Sequence, residues 1–287
     1  MRPFFPNVAI IGLGLIGGSI ALELKRKHLA KKVVGVSRSR GNRREALRRK
    51  AVDEAFSRVG SFLSEADLVV LATPVNTVLS LLKEIRPFLK KEALVTDVGS
   101  VKAPIAGGGF KIFKSSFIGG HPIAGTEKSG MGAAQLGLFR GRKWILTPSA
   151  GTPRSSLTRL KGFVKALGAE VVEIDAQVHD RIFSAVSHLP NVLAYALANT
   201  VASLNDSKAL RLAGGSLRDM TRLAESPPEM WRDISLANRD NVLRMIGRFE
   251  GELKKFRKAL RNGGGKDLMR LFENGREFKV KKIGGRQ

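Results

Sequence analysis

Residues 8–19 read VAIIGLGLIGGS, an apolar run that meets Gly12-Leu13-Gly14-Leu15-Ile16-Gly17 and then a stretch of helical composition. A run of Val and Ile with no polar alternation suits a parallel strand buried on both faces. Gly12 lets the chain turn sharply after such a strand. Gly14 lets backbone approach a pyrophosphate without a Cβ in between, and Gly17 lets the next helix pack close. A helix from about residue 19 then presents free N–H groups to an anion. The pattern predicts a strand–turn–helix unit with Gly12, Gly14, Leu15, Ile16 and Gly17 against a dinucleotide. A glycine-rich turn without a ligand is the alternative reading.

The second strand, near residues 32–36, ends in Ser37-Arg38-Ser39-Arg40. An NAD site places an Asp or Glu near this point to bind the ribose 2′-hydroxyl, and none is present. Ser37 and Arg38 instead suit a 2′-phosphate, which predicts NADP as the preferred cofactor with NAD possible. The bland reading makes Arg38 and Arg40 two more charges on a basic chain.

Apolar strand candidates follow at residues 8–11, 33–36, 68–72, 94–97, 117–119, 144–147 and 171–174, with helical segments at 19–27, 43–50, 77–88 and 155–167. This alternation predicts an α/β fold, a Rossmann-like doubly wound sheet with antiparallel strands late in the order. Beyond residue 175 the apolar spacing is helical. Residues 191–204, NVLAYALANTVASL, carry almost no charge, so that helix is expected to be buried in a core or against a partner subunit. The expected division is a dinucleotide-binding domain over 1–175, an all-α substrate and dimerisation domain over 176–262, and a basic, loosely ordered tail over 263–287 after the hinge Gly263-Gly264-Gly265. A homodimer through the helical domain is expected.

Composition narrows the chemistry. The 287 residues contain no Cys, which excludes disulfides and thiol catalysis, and with four His a metal site is not expected. No apolar stretch is long enough to span a bilayer, and the N-terminal apolar run is broken by glycines, so a soluble cytoplasmic protein is expected. The net charge of +25 raises the alternative of a nucleic-acid-binding protein with a Rossmann domain. One Tyr and two Trp offer few stacking platforms, so specific nucleic-acid binding is not expected.

Three further segments look like site loops. Thr73-Pro74 ends one strand and is expected to lie along the cofactor, or to be an ordinary Pro-terminated strand. Ser100, after the strand at 94–97, projects into the same crevice or caps a following helix. Gly119-Gly120-His121-Pro122 with Ile123–Gly130 reads as a fixed loop exposing an imidazole, either a general base or a structural histidine.

Together GLGLIGGS, ATP, TDVGSVK, GGHPIAGTEKSG, SHLPN and GGSLRDMTRLAES, in this order, resemble the prephenate/arogenate dehydrogenase family of tyrosine biosynthesis, in its short monofunctional form. The likeness runs from about residue 8 to the helices near 248, and the segment around His121 is its most specific part. The resemblance implies oxidative decarboxylation of prephenate to 4-hydroxyphenylpyruvate with hydride transfer to NAD(P). The alternative it leaves open is arogenate as substrate, giving tyrosine. It further implies that His121 accepts the proton of the ring hydroxyl and that Ser100 assists there. Arg222 would bind a substrate carboxylate, His188 would sit near the substrate, and Glu127 and Arg218 would line the entrance. Without the resemblance, Arg222 and Arg218 read as helix-surface salt-bridge partners of Asp219 or Glu225. A β-hydroxyacid dehydrogenase is a rival that the Gly-Gly-His-Pro segment argues against.

Overall fold

The computed structural model describes residues 3–283 except 127, 207, 209 and 210. Eight strands form one sheet in the order β3-β2-β1-β4-β5-β6-β7-β8. The first six run parallel: β1 (Asn7–Ile11), β2 (Lys32–Val36), β3 (Glu54–Phe56), β4 (Leu68–Leu71), β5 (Leu94–Asp97) and β6 (Phe117–Pro122). β7 (Lys143–Thr147) is antiparallel to β6, and β8 (Glu170–Glu173) is parallel to β7.

The Val/Ile run makes β1 because both faces of the sheet are covered. Val8 and Ile10 enter one core and Ala9 and Ile11 the other, as the two-residue period of a strand requires. Helices α1 (Leu15–Arg26), α2 (Arg40–Arg48), α3 (Val75–Ile85), α4 (Ala103–Phe113) and α5 (Arg154–Ala166) cover these faces. The chain leaves β3 at one edge and returns to β4 on the far side of β1. That reversal opens a crevice at the C-terminal ends of β1 and β4, where ligands of doubly wound sheets bind.

Two elements are faint in the sequence, β3 and the helix α4, which was expected only as one that Ser100 would cap. β3 is three residues long and carries no pattern. α4 contains Pro104 and Gly107-Gly108-Gly109, which read as a break. The proline sits in the first turn, where its missing N–H costs nothing. The glycines are steric: a Cβ on Gly109 would collide with the Phe117 ring, and one on Gly108 with Leu79.

The chain divides after Arg239 into two compact units. The first also holds α6 (Ala176–Phe183), a wide π turn over Ser184–His188, α7 (Leu189–Ala202), α8 (Gly215–Thr221) and α9 (Pro228–Ala237). Pro190 has no N–H to offer the carbonyl four residues back, which accounts for the irregular winding ahead of it. The near-uncharged stretch 191–204 is helical as far as Ala202, but in the single chain only its N-terminal side is covered. Asn191 and Ala194 are buried and Leu204 is 63% exposed.

In the second unit, α10 (Arg239–Arg261) ends at Gly263, whose φ of 61° makes it a left-handed cap. The expected loose tail is instead α11 (Gly265–Phe278), an amphipathic helix with Phe272 packed 5.4 Å from Phe256. Among the described residues no helix is long and apolar enough to cross a membrane.

Candidate active site

The crevice holds a cleft of about 730 Å³ lined by Gly12, Gly14, Ser37, Arg38, Thr73 and Pro74 among others. Gly12 has φ 112°, and a Cβ there would collide with the Ala72 carbonyl. Gly17 packs against the Gly12 carbonyl, leaving no room for a side chain. At Gly14 a Cβ would meet nothing within 4 Å, so backbone is open to the cleft at that point. Leu15 and Ile16 form the first turn of α1 and bring free backbone N–H groups there, while the Leu15 side chain is buried. Ser37 and Arg38 lie on the rim, and the Arg43 guanidinium fixes their backbone by donating to both carbonyls, at 2.6 and 2.9 Å. Arg58 also lines this cleft and had no sequence signal beyond its charge. Arg40 does not line it. The Thr73 hydroxyl oxygen is buried at the cleft wall without a partner among the described residues.

A second cavity of about 1020 Å³ gathers Ser100, His121, Phe183, Arg222 and Trp231 with Arg140 and Arg142. His121 lies inside β6, paired opposite Ile145, and is 9% exposed. The expected loop is therefore a strand as far as Pro122. Gly119 and Gly120 make this possible because they let the strand pass hard against Thr147 and Asp97. Ser100 is half-buried beside the same cavity and does not cap α4. The Asp180 carboxylate does that from α6, accepting the backbone N–H of Lys102 at 2.6 Å and of Ala103 at 2.8 Å.

Arg222 is exposed to the cavity and makes no ion pair among the described residues, so the salt-bridge reading does not hold for it. Arg218 is exposed on α8 and does not line the cavity. Glu127 lies outside the described residues. His188 is buried behind the cavity wall, with Nδ1 3.1 Å from Asn238 Nδ2 and its ring edge toward Trp231. Its Nε2 is buried without a partner among the described residues, and burial pushes its pKa down to about 4.

Sequence reading missed what stands behind His121. His121 Nδ1 is 2.8 Å from His179 Nε2, and His179 Nδ1 is 2.8 Å from Asp180 Oδ1. Beneath them Lys102, fully buried, pairs with Asp97 and donates to the Gly120 carbonyl at 2.7 Å. Burial holds His121 well below the ordinary histidine range, and the neighbouring His179, Lys102 and His188 add to that effect. Burial likewise lowers His179. Neutral imidazoles are thus favoured, and a neutral imidazole on a cavity wall is equipped to take a proton.

The strand order, the glycine turn and a cleft at the switch point define a doubly wound nucleotide-binding protein with a helical domain after it. The family model described as "Prephenate dehydrogenase, nucleotide-binding domain" matches residues 20–173, and "Prephenate dehydrogenase, dimerization domain" matches residues 175–274. The chain belongs to the prephenate dehydrogenase family. It is 35% identical to the prephenate dehydrogenase of Bacillus subtilis over 97% of this chain and 76% of that one. The crystal structure of prephenate dehydrogenase from Aquifex aeolicus in complex with hydroxyphenyl propionate and NAD+ superposes with a TM-score of 0.90 at 34% identity, covering 99% of this chain and 98% of that one. Synechocystis arogenate dehydrogenase superposes with a TM-score of 0.83 at 31% identity, covering 96% and 99%.

Proposed function

We propose that this protein is a prephenate dehydrogenase that uses NAD(P) with NADP preferred. The observation that carries the reading is the meeting of His121, Ser100 and Arg222 around one cavity in a protein that also has an open glycine cradle at the switch point. Gly12, Gly14 and Gly17, with the first turn at Leu15 and Ile16, would hold the pyrophosphate, and Thr73 and Pro74 would flank the cofactor. Ser37 and Arg38, with Arg58, would take the 2′-phosphate. The nicotinamide supplies the hydride acceptor.

Arg222 anchors a substrate carboxylate and orients the ring, with His188 behind the wall; the entrance roles of Arg218 and Glu127 rest on the resemblance alone. His121 accepts the ring-hydroxyl proton as hydride leaves the same ring carbon, and Ser100 holds that hydroxyl in line. The ring carboxylate departs as carbon dioxide, and its bonding electrons complete an aromatic ring. The ring oxygen then takes the proton back from His121. Aromatisation makes the sequence irreversible, so orientation and one neutral base suffice.

We assign residues 1–175 to nucleotide binding, 176–262 to the substrate and dimerisation domain and 263–287 to a basic C-terminal segment. The match to a dimerization domain and the open side of α7 support a homodimer.

Arogenate is the second reading, favoured by the likeness to the Synechocystis enzyme. Formation of reduced nicotinamide, followed at ~340 nm where the reduced ring absorbs, decides between them with prephenate or arogenate against NADP or NAD. Turnover of prephenate with NADP favoured is expected. Turnover of arogenate alone moves the specificity, and no turnover in any combination overturns the reading.

A further inference from the structure

Three of the four histidines stand together in the first unit, and their order of hydrogen bonds is informative. Asp180 Oδ1 accepts the Lys102 N–H and Oδ2 the Ala103 N–H, so its carboxylate faces donors. The ring nitrogen 2.8 Å from Oδ1, His179 Nδ1, therefore carries the hydrogen. A neutral His179 then has its lone pair on Nε2. The nitrogen 2.8 Å from that lone pair, His121 Nδ1, must in turn carry a hydrogen. His121 is left with a lone pair on Nε2, which makes no hydrogen bond within the protein among the described residues. Phe183 closes the arrangement, stacked on His179 with centroids 4.3 Å apart and 5.0 Å from His121.

We propose that Asp180 and His179 are positioning residues that hold His121 in the Nδ1–H tautomer and share the charge it gains on taking a proton. The inference rests on the reading of His121 as the base. When His121 Nε2 takes the hydroxyl proton, its Nδ1–H bond to His179 becomes charge-assisted, and the Asp180 carboxylate balances the cationic pair. The pair returns one proton to the ring oxygen at the end, so nothing accumulates. A carboxylate that sets the tautomer of a catalytic imidazole is worth on the order of 10⁴ in turnover where it has been removed directly. Acting here through a second imidazole, the effect expected of losing His179 is about 10² to 10³.

The test uses the full chain with prephenate and NADP. His179→Leu removes the acceptor, whereas His179→Gln can offer its carboxamide oxygen to the His121 Nδ1–H. Expected are a kcat for His179→Leu about 10² to 10³ lower, a prephenate KM within about threefold of wild type, and about tenfold recovery in His179→Gln. Nitrogen-15 NMR of ring-labelled histidine in the unaltered protein reads the tautomer independently of whether a variant folds. A proton on His121 Nδ1 and none on Nε2 is expected. A proton on Nε2, or a kcat for His179→Leu within about twofold of wild type, overturns the proposal. If His121→Asn also keeps full turnover, the reading of His121 as base fails. If His121→Asn is inactive while His179→Leu is normal, only the positioning role fails.

Discussion

The buried ammonium of Lys102 donates to the carbonyl of Gly120 at 2.7 Å, one residue before the histidine on the cavity wall. The same group pairs with Asp97, and both side chains are wholly excluded from solvent. Lys102 thus ties the end of β5 to the end of β6 and fixes the height at which His121 enters the cavity. Lys102→Met would strand the Asp97 charge. Breaking a buried pair from one side costs about 3–5 kcal/mol. Equilibrium denaturation of the variant is expected to show a loss of that size, and a loss below about 1 kcal/mol would mean that the pair is not what secures this corner.

Gly17 answers to the packing of α1 on β1. A side chain there meets the Gly12 carbonyl, which is backbone and has no room to yield. Gly17→Val is expected to destabilise by about 1–3 kcal/mol, the usual cost of overpacking, and to abolish nucleotide binding by tilting the helix N-terminus. Thermal unfolding and quenching of protein fluorescence by NADP measure the two effects. Normal nucleotide affinity in this variant would remove the role given to the turn.

Arg38 lies on the rim of the nucleotide cleft beside Ser37. Losing a charge-assisted phosphate contact costs about 1.5–3 kcal/mol, roughly ten- to a hundredfold in affinity. Arg38→Ala is expected to raise the KM for NADP by that factor and to leave NAD nearly unchanged. Equal effects on both nucleotides would show that Arg38 does not read the 2′-phosphate.

The buried histidines give stability a pH dependence of known sign. His121, His179 and His188 all have folded-state pKa values lowered from the usual 6.5, with His188 near 4. Below pH 6.5 the unfolded chain binds protons that the folded chain refuses, so stability is full above that pH and is lost as pH falls toward 4. His188 alone accounts for on the order of 3 kcal/mol across that interval. Urea titrations at several pH values are expected to show midpoints falling below pH 6.5, and midpoints that stay level between neutrality and pH 4.5 would contradict the buried neutral state.

Much of this is legible in the amino-acid sequence. β1, β2, β4 and β5 announce themselves because strands covered on both faces read as short, mainly apolar runs rich in Val, Ile and Leu. Gly12, Gly14 and Gly17 were legible because each answers a local backbone demand. α4 was hidden because its glycines answer to Phe117 and Leu79, neighbours distant in sequence. His121 read as a loop residue for the same reason, since nothing local says that Gly119-Gly120 lets a strand pass so close to Thr147. His179-Asp180 on an otherwise ordinary helix looks like a surface pair, and only the fold carries it beneath His121.

Arg222 is the cation lining the cavity that the resemblance singled out, and it makes no ion pair among the described residues. Arg222→Ala is expected to raise the prephenate KM by about ten- to a hundredfold, the worth of a bidentate carboxylate contact, with a smaller fall in kcat. Steady-state kinetics at saturating NADP separate the two constants. An unchanged KM would move the anchoring role to another residue, with Arg140 and Arg142 on the same cavity as the next to test.

The central claim is that His121 takes the hydroxyl proton while hydride leaves. The direct measurement pairs wild type with His121→Asn, following carbon dioxide and reduced nicotinamide from prephenate together with NADP affinity. The account predicts one carbon dioxide per reduced nicotinamide in wild type. In the variant both should fall by about 10² to 10⁴, while NADP binds as before. Turnover of His121→Asn close to wild type would contradict it.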